Sequence, residues 1–245
     1  MSMALKKITT FTYKGFISEI NGSALAIVDQ FENKNPNFWG NALKRYSFRE
    51  YDYKQGEQVR LQFSNEISSC KKTDELFDVS NKILKWGGMK PLNDDMKQGL
   101  KRSLSCLDRL SEGKDVDLQE LCVERLASIT KIYEMWDLDN WVIYDSFCVI
   151  GLQKMVSDYW QSIGYRASED LLKLPWPPGR SGSPLRGFPR TGDIAPNQKR
   201  LGFIYGSWLC KAIAEHLNAI SGQNFHWRPY HIEMIAFQIG HEINQ

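Results

Sequence analysis

From residue 73 onward, apolar side chains recur every three or four positions, the spacing of one buried helical face. Leu76, Val79, Ile83 and Leu84 share such a face, with Thr73 or Asp74 placed to cap its start and Gly87-Gly88 to stop it. Pro91 to Asp95 opens a second helix that carries Met96, Leu100, Leu104 and Leu107 inward as far as Gly113. Leu118, Leu121, Cys122 and Leu126 form a third stripe. A short link, Ala127-Ser-Ile-Thr130, joins it to a helical segment beginning at Lys131, so a helical hairpin is expected. Asp145 or Ser146 caps the next helix, whose Val149, Ile150, Leu152, Val156 and Tyr159 form a broad apolar face reaching toward Gly164. Two more helices, from Leu201 to Ile220 and from about Tyr230 to Ile243, close the chain, split near Gly222 and Pro229.

The first 72 residues read differently. Ile8 to Tyr13 is β-rich, and Gln58-Val-Arg-Leu-Gln-Phe63 alternates apolar and polar at period two, the signature of a strand with one buried face. The expected architecture is therefore mainly α: a helical domain over 73–245 behind an N-terminal region, 1–72, with short strands. Residues 173–200 interrupt the helices with six of the nine prolines, four glycines, and six basic residues against the single acid Asp193. That local charge of +5 stands out because the whole 245-residue chain carries only +2, so contact with nucleic acid has to rest on a local basic surface.

The remaining composition narrows the classes. Five scattered cysteines include no C-x-x-C pair and no zinc spacing, which fits free thiols in a reducing compartment and a cytoplasmic location. No stretch approaches the length of a membrane span, and His226, His231 and His241 are spaced too irregularly for a metal site. The reading needs neither metal nor cofactor.

The chemistry-bearing stretch is Leu126-Ala-Ser-Ile-Thr-Lys131 followed by Trp141-Val-Ile-Tyr-Asp-Ser146. A lysine on one helix and an aspartate at the start of the next can meet at the mouth of one cleft when the connecting loop folds back. A neutral amine is a nucleophile, and a carboxylate steadies a cationic sugar. At these residues the chain resembles the helix-hairpin-helix DNA glycosylase superfamily, in particular its diverged bacterial 8-oxoguanine DNA glycosylase-like branch. Lys85-Trp-Gly-Gly88 and Tyr230-His-Ile-Glu-Met-Ile-Ala-Phe237 resemble segments of the same branch, so the likeness spans roughly residues 75–240. The resemblance implies a mostly helical glycosylase fold, Lys131 as nucleophile at C1′, and Asp145 as the carboxylate beside the sugar. It further implies cleavage of the N-glycosidic bond of an extruded damaged or modified base, with strand nicking through a lysine Schiff base. DNA is then the partner, held by Ser128 and Thr130 of the hairpin and by Arg180, Arg186, Arg190, Lys199 and Arg200 of the basic segment. Trp86, Trp141 and Tyr144 are candidate walls of a base pocket. Unlike the family's glycine-rich hairpin, 127–130 contains no glycine.

Each of these residues also has an ordinary reading. Lys131 is then a solvated lysine, Asp145 a helix cap, the aromatics core side chains and the basic segment a linker. Two functional alternatives follow from that: a DNA-binding or defence-associated accessory protein without chemistry, acting with a protein partner, or a helical protein-interaction module docking through its basic loop.

Overall fold

The computed structural model describes residues 11–20, 22–163, 171–177, 183–190, 193–220 and 225–244, and it is mainly helical. Three short helices, α1 (Tyr13–Ile20), α2 (Ser23–Lys34) and α3 (Phe38–Lys44), lead into a minimal antiparallel hairpin of β1 (Ser47–Phe48) and β2 (Tyr51–Asp52). Then come α4 (Tyr53–Ser69), α5 (Thr73–Trp86), α6 (Lys97–Ser111), α7 (Leu126–Trp136), α8 (Ser146–Ile163), α9 (Pro196–Ile220) and α10 (Pro229–Ile243).

The period-two run at Gln58–Phe63 is not a strand. It lies within α4, which starts on a reciprocal cap: Asp52 accepts the Gln55 N–H at 2.9 Å, and the Gln55 side chain accepts the Asp52 N–H at 3.0 Å. The buried face of α4 consists of Gly56, Arg60 and Ile67, so its helical period is invisible to a reading that counts apolar residues. Of the run at 8–13, residues 8–10 lie outside the described residues, and Tyr13 opens α1.

The hairpin of helices expected at 117–136 is also redrawn. Asp117 caps only a single turn, Leu118–Glu120, and the chain then runs extended through Leu121. Arg125, with φ at 54°, turns it sharply into α7, so Ala127 to Thr130 are the first turn of that helix rather than a link. Helix α9 begins at Pro196, which places Lys199 and Arg200 on its first turns.

Helices α7, α8, α9 and α10 make the centre, and almost every position on α9 between Leu201 and Ala214 is buried. The closest packing joins α8 to α10. A Cβ on Gly151 would stand 1.8 Å from the Ala236 carbonyl oxygen, and one on Gly240 would stand 2.0 Å from that of Phe147. Two hydrogen atoms in place of two methyl groups let these backbones touch, which fixes the start of α8 against the middle of α10. Helices α4 and α5 pack on α7.

Candidate active site

Helix α7 carries Lys131 on a turn that is buried all round, and Lys131 itself is only 3% exposed. Its stem lies across Gly87, where a Cβ would come within 2.5 Å of the lysine Cδ. The Lys131 ammonium donates to Asp145 Oδ2 at 3.1 Å. Asp145 stands just before α8, and its other oxygen accepts the backbone N–H groups of Phe147 and Cys148, each at 3.1 Å. One carboxylate therefore caps a helix and pairs with the lysine at once. Burial opposes charge on both partners, yet their mutual attraction wins. Asp145 is held below the usual carboxylate range by Lys131 and by the bonds from Cys148, and Lys131 is held above the usual lysine value chiefly by Asp145.

The pair forms the floor of a cleft of about 670 Å³. Phe48, Phe147 and Phe237 make an aromatic wall, with Phe147 and Phe237 edge to face at 5.4 Å. Arg49, Arg125 and Lys199 add positive charge around the mouth. Among the described residues only Asn37, Arg49 and Arg125 are non-glycines with left-handed backbone, and two of those three line this cleft beside Gly88, at φ 71°. Such conformations cost energy and persist where surroundings enforce them. For Arg125 the enforcement is visible, since its guanidinium donates to the carbonyls of Lys90 and Pro91.

Comparison with protein-family models, with curated proteins and with solved structures finds no match.

The candidates named from sequence fall into three groups. Lys131, Asp145, Ser128 and Lys199 line the cleft. Thr130, Trp141 and Tyr144 do not, which corrects their assignment. Thr130 is fully buried: its hydroxyl donates to Leu126 O and accepts the Tyr144 N–H at 3.0 Å, tying α7 to the strap before α8. Trp141 packs on Phe203 in the core, and the Tyr144 ring lies against Gly206 while its hydroxyl donates to Pro175 O. Trp86 is one layer back, edge-on to Phe48 and under the Arg60 guanidinium, where it lines a small cavity behind the cleft.

In the basic segment Arg186 and Arg190 are exposed, and Arg190 lies over the Trp176 ring. Arg180 lies outside the described residues. Arg200 donates to Leu121 O at 2.7 Å and to Asn197, so it braces the strap before α7. The described parts of the segment pack against α8. Buried Gln153 of α8 donates to Leu174 O and accepts the Leu185 N–H, and Phe188 stacks on Trp160. Sequence reading missed Arg49, Arg125, Phe147, Phe237 and Gly87 as parts of one site. Gly87-Gly88 was visible as a helix stop and, with Phe237, as the end of a segment resembling the glycosylase branch, but not as part of the site.

Proposed function

We propose that the chain is a DNA glycosylase-like protein of the helix-hairpin-helix type, acting on a nucleotide turned out of the duplex into the cleft. The observation that carries this reading is the 3.1 Å contact between Lys131 Nζ and Asp145 Oδ2 at the floor of a cation-rimmed, aromatic-walled cleft. A sugar seated there touches both groups. As the bond from C1′ to the base nitrogen breaks, the base leaves with the bonding pair. Asp145 stabilises the positive charge that develops on the sugar, and the deprotonated Lys131 amine closes on C1′. The C1′–O4′ bond then opens, O4′ keeping the bonding pair and taking one proton from the nitrogen, which leaves a protonated imine; loss of a C2′ proton from it allows β-elimination of the 3′ phosphate. The phenyl faces of Phe147 and Phe237 suit a planar base, and Arg49, Arg125 and Lys199 suit the flanking phosphates.

The deciding experiment is borohydride trapping with a panel of oligonucleotides carrying different base lesions. The wild-type chain forms a covalent adduct with at least one, and Lys131→Ala forms none. An adduct persisting in that variant means another amine attacks, and no adduct with any lesion removes the catalytic reading. A DNA-binding accessory protein is the second reading, favoured by the ion pair that keeps Lys131 charged at rest and by a first turn of α7 without glycine. It predicts salt-dependent duplex binding with no adduct.

A further inference from the structure

A lysine attacks only after losing a proton, and the ion pair with Asp145 holds that proton in place. Asp145 is a poor acceptor, because two backbone N–H groups as well as the ammonium stabilise its charged form. The structure offers a second acceptor behind the lysine. A mostly apolar cavity of about 10 Å³, just large enough for one water molecule, is bordered by the polar groups of Lys131, Asp145, Arg60 and Glu233, which supply the partners such a water needs.

Glu233 reaches this cavity from α10 and is only 2% exposed. Its Oε2 pairs with Arg60 Nη2 of α4 at 2.8 Å, and its Oε1 accepts the Cys148 thiol of α8 at 2.9 Å. On the other side of Arg60, Glu134 of α7 is fully buried, 3.2 Å from Arg60 Nε and with neither oxygen hydrogen-bonded. Tyr46 flanks Arg60, Cys210 of α9 lies close enough for both glutamates to raise its pKa, and Arg49 stands at the mouth of the cleft. Burial pushes Glu233 up and Glu134 up to about 8.

Charge balance limits where a proton can go. Arg60 and Lys131 face Asp145, Glu134 and Glu233, so full ionisation leaves one uncompensated negative charge in the interior. One proton held by the glutamate pair makes the set neutral. Moving the lysine proton onto the second glutamate leaves it neutral again, whereas releasing that proton from the set would leave a buried net charge. Sugar chemistry supplies the push. Once Asp145 faces a cationic sugar, the ammonium loses its counter-ion.

We propose that Glu233 is a positioning residue for Lys131: through one water in the cavity they share, it accepts the proton that the ammonium must lose before the amine can attack. The Nζ–H bond breaks with its electron pair staying on nitrogen, the water passes on one of its own protons, and an O–H bond forms on Glu233. The proposal deepens the glycosylase reading and rests on it for the attacking role of the amine.

The test is the pH profile of adduct formation with an oligonucleotide carrying an abasic aldehyde, which needs no knowledge of the base. Lys131 acylation by acetic anhydride, read by peptide mass spectrometry, is followed in parallel. Glu233→Gln keeps the shape and the Arg60 contact but cannot take a proton. In the trapping assay wild type shows a flat rate across neutral pH. Its acylation, with no cationic sugar to displace the ion pair, climbs with pH and reports only that Lys131 is folded in place and reachable. Trapping by Glu233→Gln climbs about tenfold per pH unit, meeting wild type only in alkali, because solvent hydroxide must now remove the proton. Glu233→Asp, which still titrates, keeps the flat profile at a lower rate and guards against failure of the Gln variant to fold. Superimposable wild-type and Gln adduct profiles, or a steep adduct profile in the Asp variant, overturn the proposal. No DNA adduct in wild type at any pH, although Lys131 is acylated, overturns the glycosylase reading, whereas superimposable adduct profiles overturn the proton path alone.

Discussion

Gly87 shows how much one hydrogen atom can decide. Its backbone, at φ −70° and ψ 0°, is comfortable for any residue, so alanine there brings no strain of its own. What alanine brings is a methyl group 2.5 Å from Lys131 Cδ and 2.8 Å from Cε, and only the lysine can give way. Gly87→Ala should leave the urea midpoint almost unchanged while lowering the trapping rate about tenfold to a hundredfold, the size of effect expected from an ångström of misplacement. An unaltered rate would mean the lysine stem has room that the packing does not suggest. Glu134 supplies a second residue-level expectation. Its folded-state pKa, about 8, lies above the ordinary carboxyl value, so its contribution to stability is complete in acid and disappears as pH rises toward and through 8. Glu134→Gln, which cannot ionise, should therefore gain on wild type between pH 5 and pH 9 in denaturant titrations. Parallel pH curves for the two proteins would show that Glu134 is ionised at no cost.

Among the elements, the junction of α8 and α10 carries the site, since it seats Asp145 at one end and presents Glu233 and Phe237 from the other. Gly151→Ala forces a methyl group against the Ala236 carbonyl, which is backbone and cannot swing aside. A loss of at least about 3 kcal/mol is expected, equivalent to a fall in Tm of about 6–12 °C; a smaller shift would show that the helices slide apart cheaply. How far these elements could be read from sequence follows from what lines their inner faces. Helix α5 declares itself because Leu76, Val79, Ile83 and Leu84 are apolar and correctly spaced. Helix α4 hides, because Arg60 and Gly56 hold inner positions and a charge network substitutes for hydrophobic contact. Residues 117–126 mislead in the other direction, since Leu121 is buried on extended chain and Leu126 only after the sharp turn at Arg125 that opens α7, so the two do not share one helical face. The lysine–aspartate pair could be placed from its spacing, because one helix and one strap connect the two. Arg49 and Glu233 could not, since they arrive from distant elements.

For the molecule as a whole, charge is distributed by depth. The interior holds a nearly self-cancelling set around Arg60 and Lys131, while residues 173–200 concentrate +5 and the remainder of the chain is net negative by about three. Because Gln153 and Trp160 pin this basic segment to α8, Arg186 and Arg190 face solvent from a braced surface. Replacing both with alanine should reduce the slope of log binding constant against log salt by ~0.9 for each phosphate that is no longer neutralised. An unchanged slope assigns the segment to protein docking. The left-handed backbone at Arg49 and Arg125 places the mouth of the cleft under a different kind of pressure. Substituting glycine at Arg49 relieves a conformation that costs about 1 kcal/mol and, in the same stroke, deletes a cation from the rim. Under the proposed glycosylase reading, selection for a sturdier protein and selection for a tighter grip on an anionic strand pull this single position in opposite directions, so variants recovered for heat resistance alone should accumulate at Arg49 and lose affinity for the proposed DNA partner.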